Sequence, residues 1–327
     1  QILEEGINEA GAFSSWIAAA TAYSNSNVDT IPFYIFYSMF GFQRIGDLAW
    51  AAGDLRARGF VIGGTAGRTT LNGEGLQHED GHSHLLSATI PNCVSYDPTF
   101  GYELAVIIRN GLARMLENHE DVYYYITVMN ENYAHPGLPQ GAEEGIVKGM
   151  YLFRAGAAKR KERVQLLGSG TIFREVIAAA ELLERDWGVA ADLWSCPSFT
   201  ELRREGLDCE RWNMLNPTAA ARVPYVAQCL AKHAGPVVAA TDYMKAFADG
   251  IRGFVPRDRI YKVLGTDGFG RSDTRDQLRK HFEVDRWFVV LAALRALAEA
   301  GTIPAKTVTE AIAKYGIDPS KSNPAYA

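Results

Sequence analysis

Cysteine is scarce: four residues in 327 (Cys93, Cys196, Cys209 and Cys229), with no paired spacing. That excludes a disulfide framework and a Cys-rich zinc module, and it reads as reduced thiols in a cytoplasmic protein. Long apolar runs are missing too. Stretches such as Trp287 to Leu294 fall well short of the ~20 residues that span a bilayer, so no membrane partner is expected. There is no excess of positive charge: 33 Lys and Arg stand against 38 Asp and Glu, a net charge of −5. Such a chain offers no electrostatic footprint for nucleic acid. The opening Gln1-Ile2-Leu3-Glu4-Glu5-Gly6 shows neither a Met nor a signal-peptide pattern. It reads as a start in mid-domain, with the expectation that the chain is a fragment. No internal repeat or low-complexity tract is visible.

What is present is ordinary for a globular chain, 47% apolar and 22% charged. At ~150 residues per domain, this length predicts two domains. Apolar periodicity predicts helices over Ile7–Tyr23, Phe42–Arg58 and Phe100–Leu116, and strands over Ile31–Tyr37, Phe60–Ile62, Asn92–Tyr96 and Val122–Met129. The basic run Arg154–Arg163 reads as a solvated linker. Beyond it, strands at Val164–Leu167, Asp192–Cys196, Val237–Ala240 and Tyr261–Leu264 alternate with helices at Phe173–Trp187 and Arg286–Ala300. Asp285 is an N-cap candidate for the last helix and Gly301 its stop. Alternation of this kind requires crossovers. The expected fold is α/β: two tandem three-layer units with mostly parallel sheets, divided as 1–154 and 155–327.

Several motifs bear on chemistry. Gly168-Ser169-Gly170 lies between a strand and a helix but lacks a third glycine or a following Gly-Lys-Ser/Thr, so it reads as a tight turn. His78-Glu79-Asp80-Gly81-His82 formally matches a zinc-protease pattern, which works only where both histidines share a helix face. Gly81 inside it and Asn72-Gly73-Glu74-Gly75 before it argue for a loop instead. Glu74, His78, Glu79, Asp80, His82 and His84 crowd into eleven residues; a polar loop presenting acids and bases to a substrate explains them, and no metal site is expected here. The aromatic run Phe33 to Phe42 reads as core strand, or as a stacking surface for a flat cofactor at Tyr37 or Phe40. Glu9 lies among small and apolar residues. It is expected either on a helix surface or in a burial that raises its proton affinity.

Together Gly6–Glu9, Phe33–Arg44, Gly67–His84, Asn130–Tyr133 and Gly265–Asp273 resemble the homodimeric decarboxylase component of the bacterial pyruvate dehydrogenase complex. That family is transketolase-like and uses thiamine diphosphate. The resemblance implies a pyrimidine-binding domain, truncated at its amino end, followed by a carboxy-terminal domain whose family role is mainly dimer contact. It implies decarboxylation of pyruvate and reductive acetyl transfer to a lipoyl group. By the match, Glu9 falls on the glutamate that hydrogen-bonds the aminopyrimidine ring, Phe40 on the aromatic stacked against that ring, and Ile7 beside the cofactor. Tyr37 and His78 fall on groups lining the substrate cavity, with Glu74 next to them. Asp80 and His84 are implied at the substrate by analogy with transketolases. The Mg²⁺ and diphosphate ligands are expected in an amino-terminal portion outside this sequence. The implied partners are a second copy in a homodimer and the dihydrolipoyl acetyltransferase with its lipoyl domain.

Overall fold

The structure, a computed structural model, describes residues 2–327. Two sheets organise it. The first holds β1 (Phe33–Tyr37), β2 (Phe60–Gly64), β3 (Cys93–Tyr96) and β4 (Tyr123–Thr127), all parallel, in the order β1-β2-β4-β3. The second holds β5 (Tyr151–Arg154), β6 (Arg163–Gly168), β7 (Ala190–Ser195), β8 (Val237–Ala240) and β9 (Tyr261–Leu264), in the order β5-β7-β6-β8-β9. Only β5 runs antiparallel among the described strands.

Each sheet is covered on both faces, which is why its central strands carry apolar residues on both sides. Tyr123 and Tyr125 of β4 point into a core with Phe13 and Trp16 of the helix Glu9–Ala20 and Ile45 and Ala49 of the helix Gly41–Asp54. Tyr124 and Ile126 point the other way, against Val106 and Ile107 of the helix Gly101–Leu112. In the second sheet, Leu166 and Leu193 meet the helices Ile172–Trp187 and Arg286–Glu299. Leu167 and Trp194 meet the helices Phe199–Leu215 and Tyr225–Leu230. The three-layer α/β fold is the one expected.

Several boundaries differ from expectation, each for a local reason. The first helix starts at Glu9 because Asn8 Oδ1 accepts the Gly11 N–H at 3.0 Å, and it breaks at Thr21, whose hydroxyl donates to the Ile17 carbonyl at 2.8 Å. The helix Gly41–Asp54 stops short of Arg58, because Arg56 turns into the left-handed region at φ 56°. Tyr151–Arg154, assigned by the 1–154 division to the first unit, pairs with β7 in the second sheet. The basic run is therefore a loop inside the second unit, joining β5 to β6.

The two sheets face each other through the carboxyl ends of their strands. Thr127 ends β4 and Asp97 follows β3; Ser169 follows β6; Asp242 lies two residues past β8. Gly170, at φ 51°, makes the expected tight turn there, and a Cβ on it would meet Met129 and Asp97 of the first unit.

Candidate active site

β1 is one of the two edge strands of the first sheet, and its carboxyl end is open to solvent. The chain turns there through Ser38 and Met39 into the helix Gly41–Asp54, with Phe40 at the N-cap. A 3₁₀ turn, Leu76–His78, brings a third ring to the same place. The Tyr37 and His78 centroids are 5.8 Å apart, Phe40 and His78 5.1 Å, and Tyr37 and Phe40 6.5 Å. His78 Nδ1 lies 3.2 Å from the Gly75 carbonyl and donates to it. All three rings are partly exposed.

Arg44, one helical turn beyond Phe40, holds its guanidinium 4.4 Å from the Phe40 centroid and donates to Glu9 Oε1 at 2.5 Å. The Glu9 side chain is 23% exposed. The apolar burial considered for Glu9 is thus not realised: it is a partly exposed carboxylate in an ion pair at the start of its helix. Its charge acts on Tyr34, whose phenol is raised above the usual value mainly by burial and also by Glu9. Ile7 is fully exposed. A partly open carboxylate beside an aromatic face suits the expected cofactor ring. In this arrangement Arg44 occupies that face.

Asp80 and His84 correct the sequence reading. Both are fully buried, away from the ring cluster. Asp80 Oδ1 accepts the backbone N–H groups of His82 and Ser83 at 3.0 and 2.9 Å, and Oδ2 accepts the Ser83 hydroxyl at 2.5 Å. It holds the turn into the helix Ser83–Ser87. The His84 ring contacts Ser95 Oγ at 2.6 Å and Thr127 Oγ1 at 2.9 Å, and stacks on Phe247 of the second unit. Burial pushes this imidazole down to about 4. Both are internal supports.

The zinc reading fails on geometry. Residues 76–78 form a 3₁₀ turn and Glu79 is extended (φ −82°, ψ 99°), so His78 and His82 share no helix face. Glu74 is half-buried beside the turn, its carbonyl accepting the Ser272 hydroxyl at 2.5 Å. Glu79 is buried, accepts the Arg271 N–H at 2.7 Å, and is pushed up to about 8 by burial.

Three residues of the joint between the units carried no readable signal. Asp97 accepts hydroxyls from Thr127 (2.7 Å), Ser169 (2.7 Å) and Tyr243 (3.3 Å), and burial raises it to about 7. Asp242 accepts from Thr69 N (2.9 Å), Thr69 Oγ1 (2.7 Å) and Thr70 Oγ1 (2.5 Å). Glu131, inside the quoted Asn130–Tyr133 segment, binds Arg174 and Arg279 from the second unit. Arg44 had a signal that was passed over: four residues after an N-cap aromatic is one helical turn.

Two parallel-sheet units joined carboxyl end to carboxyl end, with a carboxylate and aromatic rings at an open strand end, define a transketolase-like α/β protein. A transketolase from Campylobacter jejuni superposes with a TM-score of 0.64 at 18% identity, over 90% of this chain and 39% of its own. A split-gene transketolase solved as an inactive β4 tetramer gives 0.64 at 16%, over 90% of this chain and 83% of its own. Residues 1–136 match the pyruvate dehydrogenase E1 component middle domain, and 149–285 the transketolase-like TK C-terminal domain. The chain is 68% identical to the pyruvate dehydrogenase E1 component of Pseudomonas aeruginosa over 324 residues, covering 99% of this chain and 37% of that protein. It is 63% identical to that of Escherichia coli K12 over 328 residues, covering 100% and 36%. The chain thus carries a pyruvate dehydrogenase E1 middle domain and a transketolase-like C-terminal domain, and spans just over a third of the length of these relatives.

Proposed function

We propose that this chain supplies the pyrimidine-side half of a thiamine diphosphate site in a pyruvate dehydrogenase (acetyl-transferring) component. The reaction is decarboxylation of pyruvate with reductive transfer of the acetyl group to a lipoyl group. The observation that supports it is the grouping of Glu9, Tyr37, Phe40 and His78 at the open end of β1, in a chain carrying those two domains. Thiamine diphosphate, when bound, supplies the electron sink that decarboxylation needs. Phe40 would hold the aminopyrimidine ring by its face and Glu9 would hydrogen-bond a ring nitrogen, each in place of its present contact with Arg44. His78 Nε2 and the Tyr37 hydroxyl hold or move a proton at the substrate-derived oxygen, with Glu74 beside them.

In this reading residues 1–154 serve mainly as the pyrimidine-binding unit and 155–327 as the carboxy-terminal unit in a cytoplasmic homodimer. Mg²⁺ and the diphosphate are held by the amino-terminal portion of the partner. The dihydrolipoyl acetyltransferase receives the acetyl group on its lipoyl domain. Alone, the chain is a self-associating half-site without turnover, a reading favoured by the inactive β4 assembly of the split-gene transketolase that shares its fold.

The test is calorimetric titration of thiamine diphosphate with Mg²⁺ into the chain, with and without the amino-terminal diphosphate-binding polypeptide of a relative. Binding is expected only with both present. In the reconstituted enzyme Glu9→Gln is expected to lower turnover by roughly 10²-fold or more, the scale of a lost proton-transfer group. Near-normal turnover in that variant would remove Glu9 from the site, and tight binding by the chain alone would place the diphosphate site here.

A further inference from the structure

We propose that the segment Gly268–Asp273 of the second unit is the clamp that positions the site loop 72–80, and so sets where His78 and Glu74 stand. This rests on the reading of the site given above.

The loop has little of its own to hold it. It carries two glycines, exposed Asn72, Leu76 and Gln77, and a single 3₁₀ turn. Its fixed contacts come from across the joint. The Ser272 hydroxyl donates to the Glu74 carbonyl at 2.5 Å. The Gly73 N–H donates to the Asp273 carbonyl at 3.4 Å. The Arg271 N–H donates to Glu79 Oε2 at 2.7 Å, immediately after His78. Gly270 lies so close that a Cβ there would sit 2.3 Å from the Leu76 carbonyl oxygen and 3.0 Å from Glu79 Oε2. The obstacle is backbone, which cannot move aside as a side chain would.

The clamp is itself anchored from the first unit. Arg68 is buried and donates to the Thr266 carbonyl at 2.9 Å and to that of Gly268. A Cβ on Gly81 would strike the Arg68 guanidinium at 2.4 Å. Residues 265–273 and 67–81 therefore grip each other at both ends. Phe40 and Glu9 lie on other elements, the first helix and the β1 turn, and have no contact with this segment among those observed. The second unit thus acts directly on the substrate-side groups and reaches Phe40 only through its edge contact with His78.

The test separates those two sets of groups. Gly270→Ala in the full chain is expected to raise amide hydrogen exchange across residues 72–80 on the order of tenfold, with β3 and β8 unchanged. In the enzyme reconstituted with its diphosphate-binding part, the same variant is expected to lose roughly 10- to 100-fold in kcat, the scale of a small misplacement of reacting groups. The thiamine diphosphate concentration for half-saturation should shift by no more than about twofold, since its ring contacts are untouched. Ser272→Ala is expected to act in the same direction and more weakly, and Ser272→Thr, which keeps the hydroxyl, to restore both readouts. Wild-type exchange across 72–80 in Gly270→Ala overturns the clamp. So does a parallel loss of kcat and cofactor affinity, which would mean general destabilisation, or failure of Ser272→Thr to differ from Ser272→Ala. An active Glu9→Gln would instead refute the assignment of the reaction while the exchange result still stood.

Discussion

One threonine hydroxyl links two buried groups whose titrations oppose each other. His84 Nε2–H donates to Thr127 Oγ1 at 2.9 Å, and that hydroxyl donates to Asp97 Oδ1 at 2.7 Å. Burial moves the two pKa values past each other: Asp97 rises from 3.8 to about 7, and His84 falls from 6.5 to about 4. Between pH 4 and 7 folded Asp97 keeps a proton that the unfolded chain has released, so its contribution to stability falls as pH rises. Between pH 4 and 6.5 the unfolded chain holds a proton on His84 that the folded chain lacks, so that contribution rises with pH. At about 1.4 kcal/mol per pKa unit, each effect is on the order of 3–4 kcal/mol at full development, and over the shared window they nearly cancel. Asp97→Asn should therefore leave a chain whose stability climbs from pH 4 to 6.5. His84→Gln should leave one whose stability declines from pH 4 to 7. Urea unfolding across that range measures both. The slopes, rather than the offsets from altered packing, are the readout, and Asp80, Asp242 and Glu79 are common to all three proteins. If both variants run parallel to wild type, the two groups do not titrate as their burial requires.

Other perturbations have simpler expectations. Gly235→Ala places a Cβ 1.9 Å from the Arg163 carbonyl oxygen at a residue with φ 95°; a loss of at least about 3 kcal/mol is expected in denaturant unfolding. Asp285→Ala removes the cap that accepts the Trp287 and Phe288 N–H groups at 3.1 and 3.0 Å, and should cost about 1–2 kcal/mol, read as a lower Tm. Phe173→Ala empties a fully buried position between β6 and the helix Arg286–Glu299 and should cost about 3–5 kcal/mol.

The elements legible in the sequence were those with a strong period or a clear stop. Val237–Ala240 and Tyr261–Leu264 form as read because each is a short run, apolar except for Lys262, bounded by Gly or Pro on at least one side. Asp285 caps as expected. β5 was not legible: four residues leading into a basic run carry no alternation, and only pairing with β7 makes them a strand. The helix Phe199–Leu215 was missed because its buried face, Phe199, Leu202, Gly206 and Cys209, is diluted by charged residues throughout. In the candidate site, Tyr37, Phe40 and His78 come together although 41 residues separate the first from the last. Asp80 and His84 look no different from His78 in sequence, as polar residues in a Gly-rich loop. What separates them is the second unit, whose Tyr243 and Phe247 cover His84. No local pattern encodes that cover.

The way the units meet explains why the site lies at an edge. In parallel α/β sheets ligands bind beyond the carboxyl ends of the strands. Here Asp97 with Ser169, and Thr69 and Thr70 with Asp242, seal the ends of β3, β6 and β8 against one another. The turn after β6, where a phosphate loop would lie, is filled by the Asp97 carboxylate and by the Thr99 hydroxyl on the Gly170 carbonyl. Binding at the joint would require opening a dry network of satisfied hydrogen bonds, each group of which costs about 1–3 kcal/mol if left unpaired. The end of β1 has no such cover: Tyr37 is half exposed, and Phe33 and Ile35 on the same strand are open as well. The joint therefore directs any ligand to the outer edge of the first sheet.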